Sequence, residues 1–193
     1  MKIIGLTGGI GSGKTTVLKL FKQLGYDTYI ADDEAKKLMN SDKELISDIK
    51  LLFGAEAYKE NKLNRPHIAA IVFEDKEKLG KLNKIVHPKV KQHFINFVKA
   101  SSAKFVIYES AILFESGTYK QCDYIITVIA NLNERLERIA KRDGISKKQI
   151  MARMKNQLDD EFKIKKSHFV IDNSDIIDAK SQVLTIFNIF SNL

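Results

Sequence analysis

The sequence has one cysteine, two prolines and no apolar run near the roughly 18 residues that a membrane span needs. A single Cys122 excludes an internal disulfide, and beside four histidines it leaves no Cys/His cluster at zinc spacing. Cys122 therefore reads as a core or half-buried thiol. Met1-Lys2-Ile3-Ile4 leads straight into the first apolar segment without a cleavable signal, so the expectation is a soluble cytoplasmic protein. No low-complexity tract or internal repeat stands out. Nucleic-acid modules are missing as well, with neither an aromatic RNP-type strand nor a zinc finger, so the net charge of +8 reads as solvated helix faces. A basic cleft serves anionic small substrates equally well. The base-reading N-K-x-D and the D-x-x-G switch are both absent, which excludes a switch GTPase. With 193 residues, the chain has length for one sizeable core with smaller insertions.

What is present centres on Gly8-Gly9-Ile10-Gly11-Ser12-Gly13-Lys14-Thr15, which fits the phosphate-binding pattern G-x-x-x-x-G-K-[ST] without a mismatch. A polyphosphate needs many donors converging on one concavity, and backbone N–H groups are the densest supply. Glycines let the backbone close on such a ligand without Cβ clashes. The expected nucleotide contacts are Gly9, Gly11, Ser12, Gly13, Lys14, Thr15 and Thr16, with Lys14 reaching the β and γ phosphates and the Thr15 hydroxyl offered to Mg2+. The flanks have the order this site requires. Ile3–Leu6 reads as a doubly buried strand, and Val17, Leu20, Phe21 and Leu24 recur at helical spacing before Gly25.

Further along, Thr28–Ile30 reads as a second strand ending in Ala31-Asp32-Asp33-Glu34. In open α/β sheets ligands sit beyond the carboxyl ends of strands, which makes Asp32 a catalytic candidate; the alternative is that one of the pair caps the next helix, a role that suits Asp33 better. From Asp42 to Leu82 the pattern is helical, with Asn64 starting a helix whose first turn holds Arg65-Pro66. This strand-free stretch exceeds what a parallel crossover requires and reads as a helical substrate-binding insertion. Pro88 is expected to open the following helix. Phe105–Glu109 is a buried parallel strand ending in a carboxylate, either a metal-holding acid or a helix cap or surface acid. Asp123–Ile129 and Phe169–Ile171 complete the strands.

Arg135, Arg138 and Arg142 stand at i, i+3 and i+7 and share one helix face, with Leu132, Leu136, Ile139 and Ala140 on the other. Ser146-Lys147-Lys148-Gln149 has the form of a capping box and starts a second helix carrying Arg153. The stripe is either an ordinary solvated face or, given a phosphate loop, a flap of guanidinium groups over a transferring phosphoryl.

The chain resembles the dephospho-coenzyme A kinase family over nearly its whole length. The resemblance rests on Gly5–Thr15, Leu24-Gly25, Ala31-Asp32, Leu63-Asn64-Arg65, Val86-His87-Pro88, Ile112–Glu115, Arg142-Asp143, Arg153-Met154 with Gln157, and Phe169–Asn173. Two departures stand out. Ile30 replaces the first acid of the family's usual Asp-Ala-Asp, and Glu109-Ser110-Ala111-Ile112 replaces an Asp-x-Pro-Leu step. The resemblance implies an α/β P-loop kinase fold with a five-stranded parallel sheet. It implies a core of 1–32, 89–131 and 167–193, a helical CoA-binding insertion at 33–88 and a lid at 132–166. ATP and dephospho-CoA would be its ligands, with Mg2+, without nucleic acid or membrane, and with the chain a monomer or weak homo-oligomer. It further implies Lys14 and the loop amides on ATP, Thr15 and Glu109 on the metal, and Asp32 accepting or orienting the substrate hydroxyl's proton. Arg142 and Arg138 would close as the lid. Arg65 and His87 fall on the substrate side, His87 alternatively capping or packing against the helix after it. A nucleoside or nucleoside-monophosphate kinase shares the same core logic, and a nucleotide-dependent regulatory switch is the third reading.

Overall fold

The computed structural model describes residues 1–192. Its elements run β1 (Lys2–Thr7), α1 (Lys14–Gln23), β2 (Asp27–Ile30), α2 (Ala31–Ser41), α3 (Lys43–Phe53), β3 (Tyr58–Lys59), β4 (Lys62–Leu63), α4 (Arg65–Glu74) and α5 (Lys76–Ala100). They continue with β5 (Phe105–Glu109), β6 (Tyr124–Ile129), α6 (Leu132–Asp143), α7 (Lys147–Met154), α8 (Asp160–Lys165), β7 (Phe169–Asp172) and α9 (Ile176–Ser191). Two compact units result, one made of Met1–Tyr29 with the chain from Ser102 onward, the other of Ile30–Ser101. Among the described residues, no helix is long and apolar enough to cross a membrane.

The first unit is built on the five-stranded sheet β2-β5-β1-β6-β7. β1 pairs in parallel with both β5 and β6, and β6 with β7, which is why Ile4 and Leu6 have no exposed surface and the strand needs no polar alternation. Its register sets Leu6 opposite Glu109, the last residue of β5, and Thr7 opposite Thr127, with β6 running two residues further. The two ends of the sheet differ in chemistry. Phe105, Tyr124 and Phe169 begin their strands and gather around Phe190 of α9, with ring centroids 4.9–5.4 Å apart. Tyr26 stacks on Phe105 from the α1 side, and burial pushes its phenol up to about 12. Aromatic surface thus fills the amino end, and the loops that carry polar chemistry leave from the carboxyl end.

The second unit packs α2, α3 and α4 on the long helix α5. Leu45, Ile49, Phe53, Ile68, Val86, Val90 and Phe94 are among its buried residues on those helices. Side-chain caps start three of them: Asp42 accepts from Leu45 N, Asn64 from His67 N and Asp75 from Lys78 N.

Three expectations need correction here. Pro88 does not open a helix; it lies inside α5, which runs unbroken for 25 residues. A mid-helix proline costs about 3 kcal/mol. Burial of Val86 and Val90 on either side offsets that cost, an effect of local propensity alone being overruled by packing. The stretch from 42 to 82 is not strand-free, because β3 and β4 form a short antiparallel hairpin turning at Glu60 and Asn61, both with positive φ. Asp33 is not a cap, since α2 begins at Ala31 behind Ile30 and Asp33 instead pairs with Lys36 at 2.7 Å.

Asp42 has the best-supported cap. Its bond from Leu45 N holds its carboxyl below the usual range against some desolvation, and Lys89, 3.6 Å away, adds to this. A depressed folded pKa contributes stability above the unfolded value and loses it as pH falls through the folded one. Asp42→Ala is therefore expected to cost about 1 kcal/mol at neutral pH. Urea denaturation should show the gap to the parent narrowing as pH falls below the ordinary carboxylate value of 3.8, whereas a gap independent of pH would assign the loss to packing.

Candidate active site

The turn Gly8–Gly13 leaves the end of β1 and runs into the first turn of α1, which has no acidic residue. The amide dipoles of that helix end favour an anion in front of it. Gly11 and Gly13 have φ of 80° and 87°, a region closed to most side chains.

A loop so rich in glycine has few side chains of its own to fix it, and its neighbours supply most of the fixing contacts. Lys14 Nζ donates to Gly8 O at 3.0 Å and lies 3.9 Å from Glu109 Oε1, with both side chains largely buried. Asn173, just past β7, donates from Nδ2 to Ser12 O at 2.9 Å. Ile10 is held from two sides: Gln157 Oε1 accepts from its N–H at 2.8 Å, and Arg135 Nε donates to its carbonyl at 2.9 Å. The side chain of Ile10 packs on Leu136, Ile139 and Ile150, which fastens α6 and α7 to the loop. Cβ atoms would not fit here. One on Gly9 would fall 2.1 Å from Arg135 Nη2, and one on Gly13 would fall 1.9 Å from Asn173 Nδ2.

The expected residues divide between the units. The first unit gathers the loop, Lys14, Glu109 and Arg138, with Thr15 and Thr16 exposed on the first turn of α1. Glu109 ends the fully buried strand β5 and leads into turns, so it is neither a helix cap nor a surface acid. Asp32, Arg65 and His87 belong to the second unit, exposed on the first turn of α2, the first residue of α4 and mid-α5.

The arginine stripe does not behave as one face. Arg135 is buried, and beyond Ile10 its guanidinium reaches Asp160. Arg138 donates to Glu134 and to Asn173 O, and its Nη1 is buried without a hydrogen bond, 3.5 Å from where a Cβ on Gly13 would stand. Arg142 is exposed and forks onto Asp143, which also accepts from Arg153; the bonds and charge of Arg142 hold the Asp143 carboxyl below its usual range. Leu132, expected on the apolar face, is exposed. The Ser146–Gln149 capping box is present as read.

Residues 2–178 match the model of the family described as Dephospho-CoA kinase. This chain belongs to the dephospho-CoA kinase family. It is 39% identical over 194 aligned positions to the Dephospho-CoA kinase of Chlorobaculum tepidum, covering 96% of this chain and 93% of that one. It is 36% identical to that of Listeria innocua, covering 99% and 98%. Among solved structures, TT1252 from Thermus thermophilus superposes with a TM-score of 0.88 at 32% identity, covering 100% of this chain and 97% of that one. The Dephospho-CoA kinase from Campylobacter jejuni gives 0.71 at 27%, covering 98% and 97%. A shikimate kinase from Bacteroides thetaiotaomicron, at 12% identity and 0.57, shares the fold alone. The P-loop kinase fold read from the sequence is thus the fold of the family.

Sequence reasoning gave no role to Gln157 or Asn173 and read Arg135 only as a member of the arginine stripe, although all three touch the phosphate loop. Gln157 and Asn173 stood only as family motif letters, and the one available signal was their distance from any helical or strand period that would explain them.

Two glycines with nearly the same φ, 87° at Gly13 and 88° at Gly25, separate the loop's steric demand from its conformational one. Gly13→Ala is expected to lose more than about 1 kcal/mol of stability together with nucleotide binding, because its Cβ collides with Asn173. Gly25, with φ of 88° and nothing within 4 Å of a built Cβ, should pay only the backbone cost as Gly25→Ala and bind nucleotide like the parent. Urea denaturation with calorimetric titration of ATP checks both; equal nucleotide affinity in the two variants would refute the steric account.

Proposed function

We propose that this chain transfers the terminal phosphoryl group of ATP to the ribose 3′-hydroxyl of dephospho-CoA, giving coenzyme A and ADP. The observation that carries the reading is a complete phosphate loop, braced at both ends and set beside Lys14 and Glu109, in a chain of this family.

Phosphoryl transfer depends mostly on positioning and on stabilising charge. The loop amides and the α1 end hold the β and γ phosphates, and Lys14 adds a mobile charge against their oxygens. The acceptor oxygen forms a bond to the γ phosphorus as the bond to the β,γ-bridging oxygen breaks, and ADP leaves. The acceptor's proton passes to the carboxylate of Asp32, which accepts or orients it. Arg138, with one buried N–H left over beside Gly13, and Arg142 take the charge on the transferring oxygens. Arg65 and His87 serve the CoA side.

The residues present fit Mg2+. The Thr15 hydroxyl and the Glu109 carboxylate beside Lys14 are hard oxygen donors of the kind Mg2+ takes, and this cation draws its other ligands from phosphate and water. Thr15 and Glu109 would hold it, and when bound it neutralises charge on the β and γ oxygens. The reading is of a cytoplasmic enzyme, a monomer or weak homo-oligomer, whose ligands are ATP and dephospho-CoA.

A coupled ADP-release assay across dephospho-CoA, pantetheine 4′-phosphate, AMP, CMP and nucleosides tests the acceptor. Dephospho-CoA should be preferred by its kcat/KM, and a preference for AMP or CMP would make the chain a nucleoside-monophosphate kinase instead. The base is tested separately. Asp32→Asn keeps size and polarity, so its melting temperature and its affinities for ATP and dephospho-CoA should hold while turnover falls about a hundredfold or more. Parent-like turnover in Asp32→Asn would move the base elsewhere.

A further inference from the structure

Ile10 occupies the apex of the phosphate loop, yet neither of its backbone groups is available to a phosphate. Its N–H is taken by Gln157 Oε1 at 2.8 Å and its carbonyl by Arg135 Nε at 2.9 Å. Both partners lead to one short segment. Gln157 lies in the turn between α7 and α8, and Arg135 pairs with Asp160 at the start of α8. That segment is itself fixed: Leu158 N donates to Glu115 Oε1 at 2.9 Å, and the same oxygen lies 3.4 Å from the fully buried Lys163 Nζ. Gln157 Nε2 adds a longer contact to Ala111 O at 3.4 Å.

We propose that Gln157 and Arg135 are positioning residues for the transfer reaction. By holding both backbone groups of Ile10, they keep the phosphate loop in its cradle form and make that form depend on the segment from Gln157 to Asp160. A glycine-rich turn released at its apex samples many backbone conformations, and only the fraction that keeps the remaining amides convergent binds polyphosphate. Apparent affinity falls by that fraction. The amide turned toward Gln157 is thus a structural pin, distinct from the amides that face the nucleotide. The proposal rests on the kinase reading above, and its test separates the two.

Calorimetric titration of the full chain with ATP and magnesium, and separately with dephospho-CoA, is run on the parent, Gln157→Leu and Gln157→Glu. Leu keeps the volume and removes the acceptor; Glu restores it. Gln157→Leu is expected to weaken ATP binding roughly three- to tenfold, the range of one hydrogen bond. Dephospho-CoA affinity should stay within about twofold, the melting temperature should be held, and the KM for ATP should rise more than kcat falls. Gln157→Glu should recover most of the ATP affinity. Asp160→Asn, which loosens the Arg135 arm, should weaken ATP in the same direction, and the double variant should fall short of the sum of the two. Parent-like ATP binding in Gln157→Leu overturns the proposal alone. Parallel losses in both affinities and in melting temperature overturn it in favour of a general structural role, as does strict additivity with Asp160→Asn. A parent that fails to bind ATP removes the kinase reading and the proposal with it.

Discussion

A loop that must present bare amides to a polyanion cannot stabilise itself, and the rest of the first unit is arranged around that constraint. Glycines open the concavity and at the same time remove the side chains that would fix a single backbone path. The missing constraint is imported from four places distant in sequence: Glu109 beside Lys14 from β5, Asn173 from the end of β7, Arg135 from α6, and Gln157 from the turn after α7. Each contact reaches a backbone group or the loop lysine, so the loop's sequence can stay small while its shape is specified by others.

The sheet makes that importation possible. Parallel pairing of β1 with β5 and β6, and of β6 with β7, brings the carboxyl ends of four strands to one edge, where Glu109 ends its strand and Gly8 and Asn173 directly follow theirs. The opposite edge is closed by aromatic rings around Phe190, which leaves polar chemistry a single side on which to collect. Stability and function therefore occupy different ends of the same strands.

Much of this was legible because the signals were local. The phosphate loop is a contiguous pattern with a strand before it and a helix after it, and the caps at Asn64 and Ser146 are spelled within four residues. What escaped was decided by contacts far apart in sequence. Helical spacing places Arg135, Arg138 and Arg142 on one face, but it cannot say that the phosphate loop lies over the first and leaves the third exposed beside Asp143. Pro88 reads as a helix start because its ring and missing donor are local facts, whereas the packing of Val86 and Val90 that keeps α5 continuous is not. The hairpin at β3 and β4 was missed because two-residue strands carry too little alternation to rise above a helical background.

The division of the chain also orders events during synthesis. β1 pairs across Lys2 with Phe105, about a hundred residues further along the chain. Until β5 leaves the ribosome, neither β1 nor β2 has the strand that lies between them in the sheet. The segment Ile30–Ser101 is contiguous, helical apart from the short β3–β4 hairpin, and can close on itself in the meantime. A nascent chain halted before residue 105 would thus carry one finished unit and two unpaired strands, the state in which chaperone capture of β1 and β2 matters most.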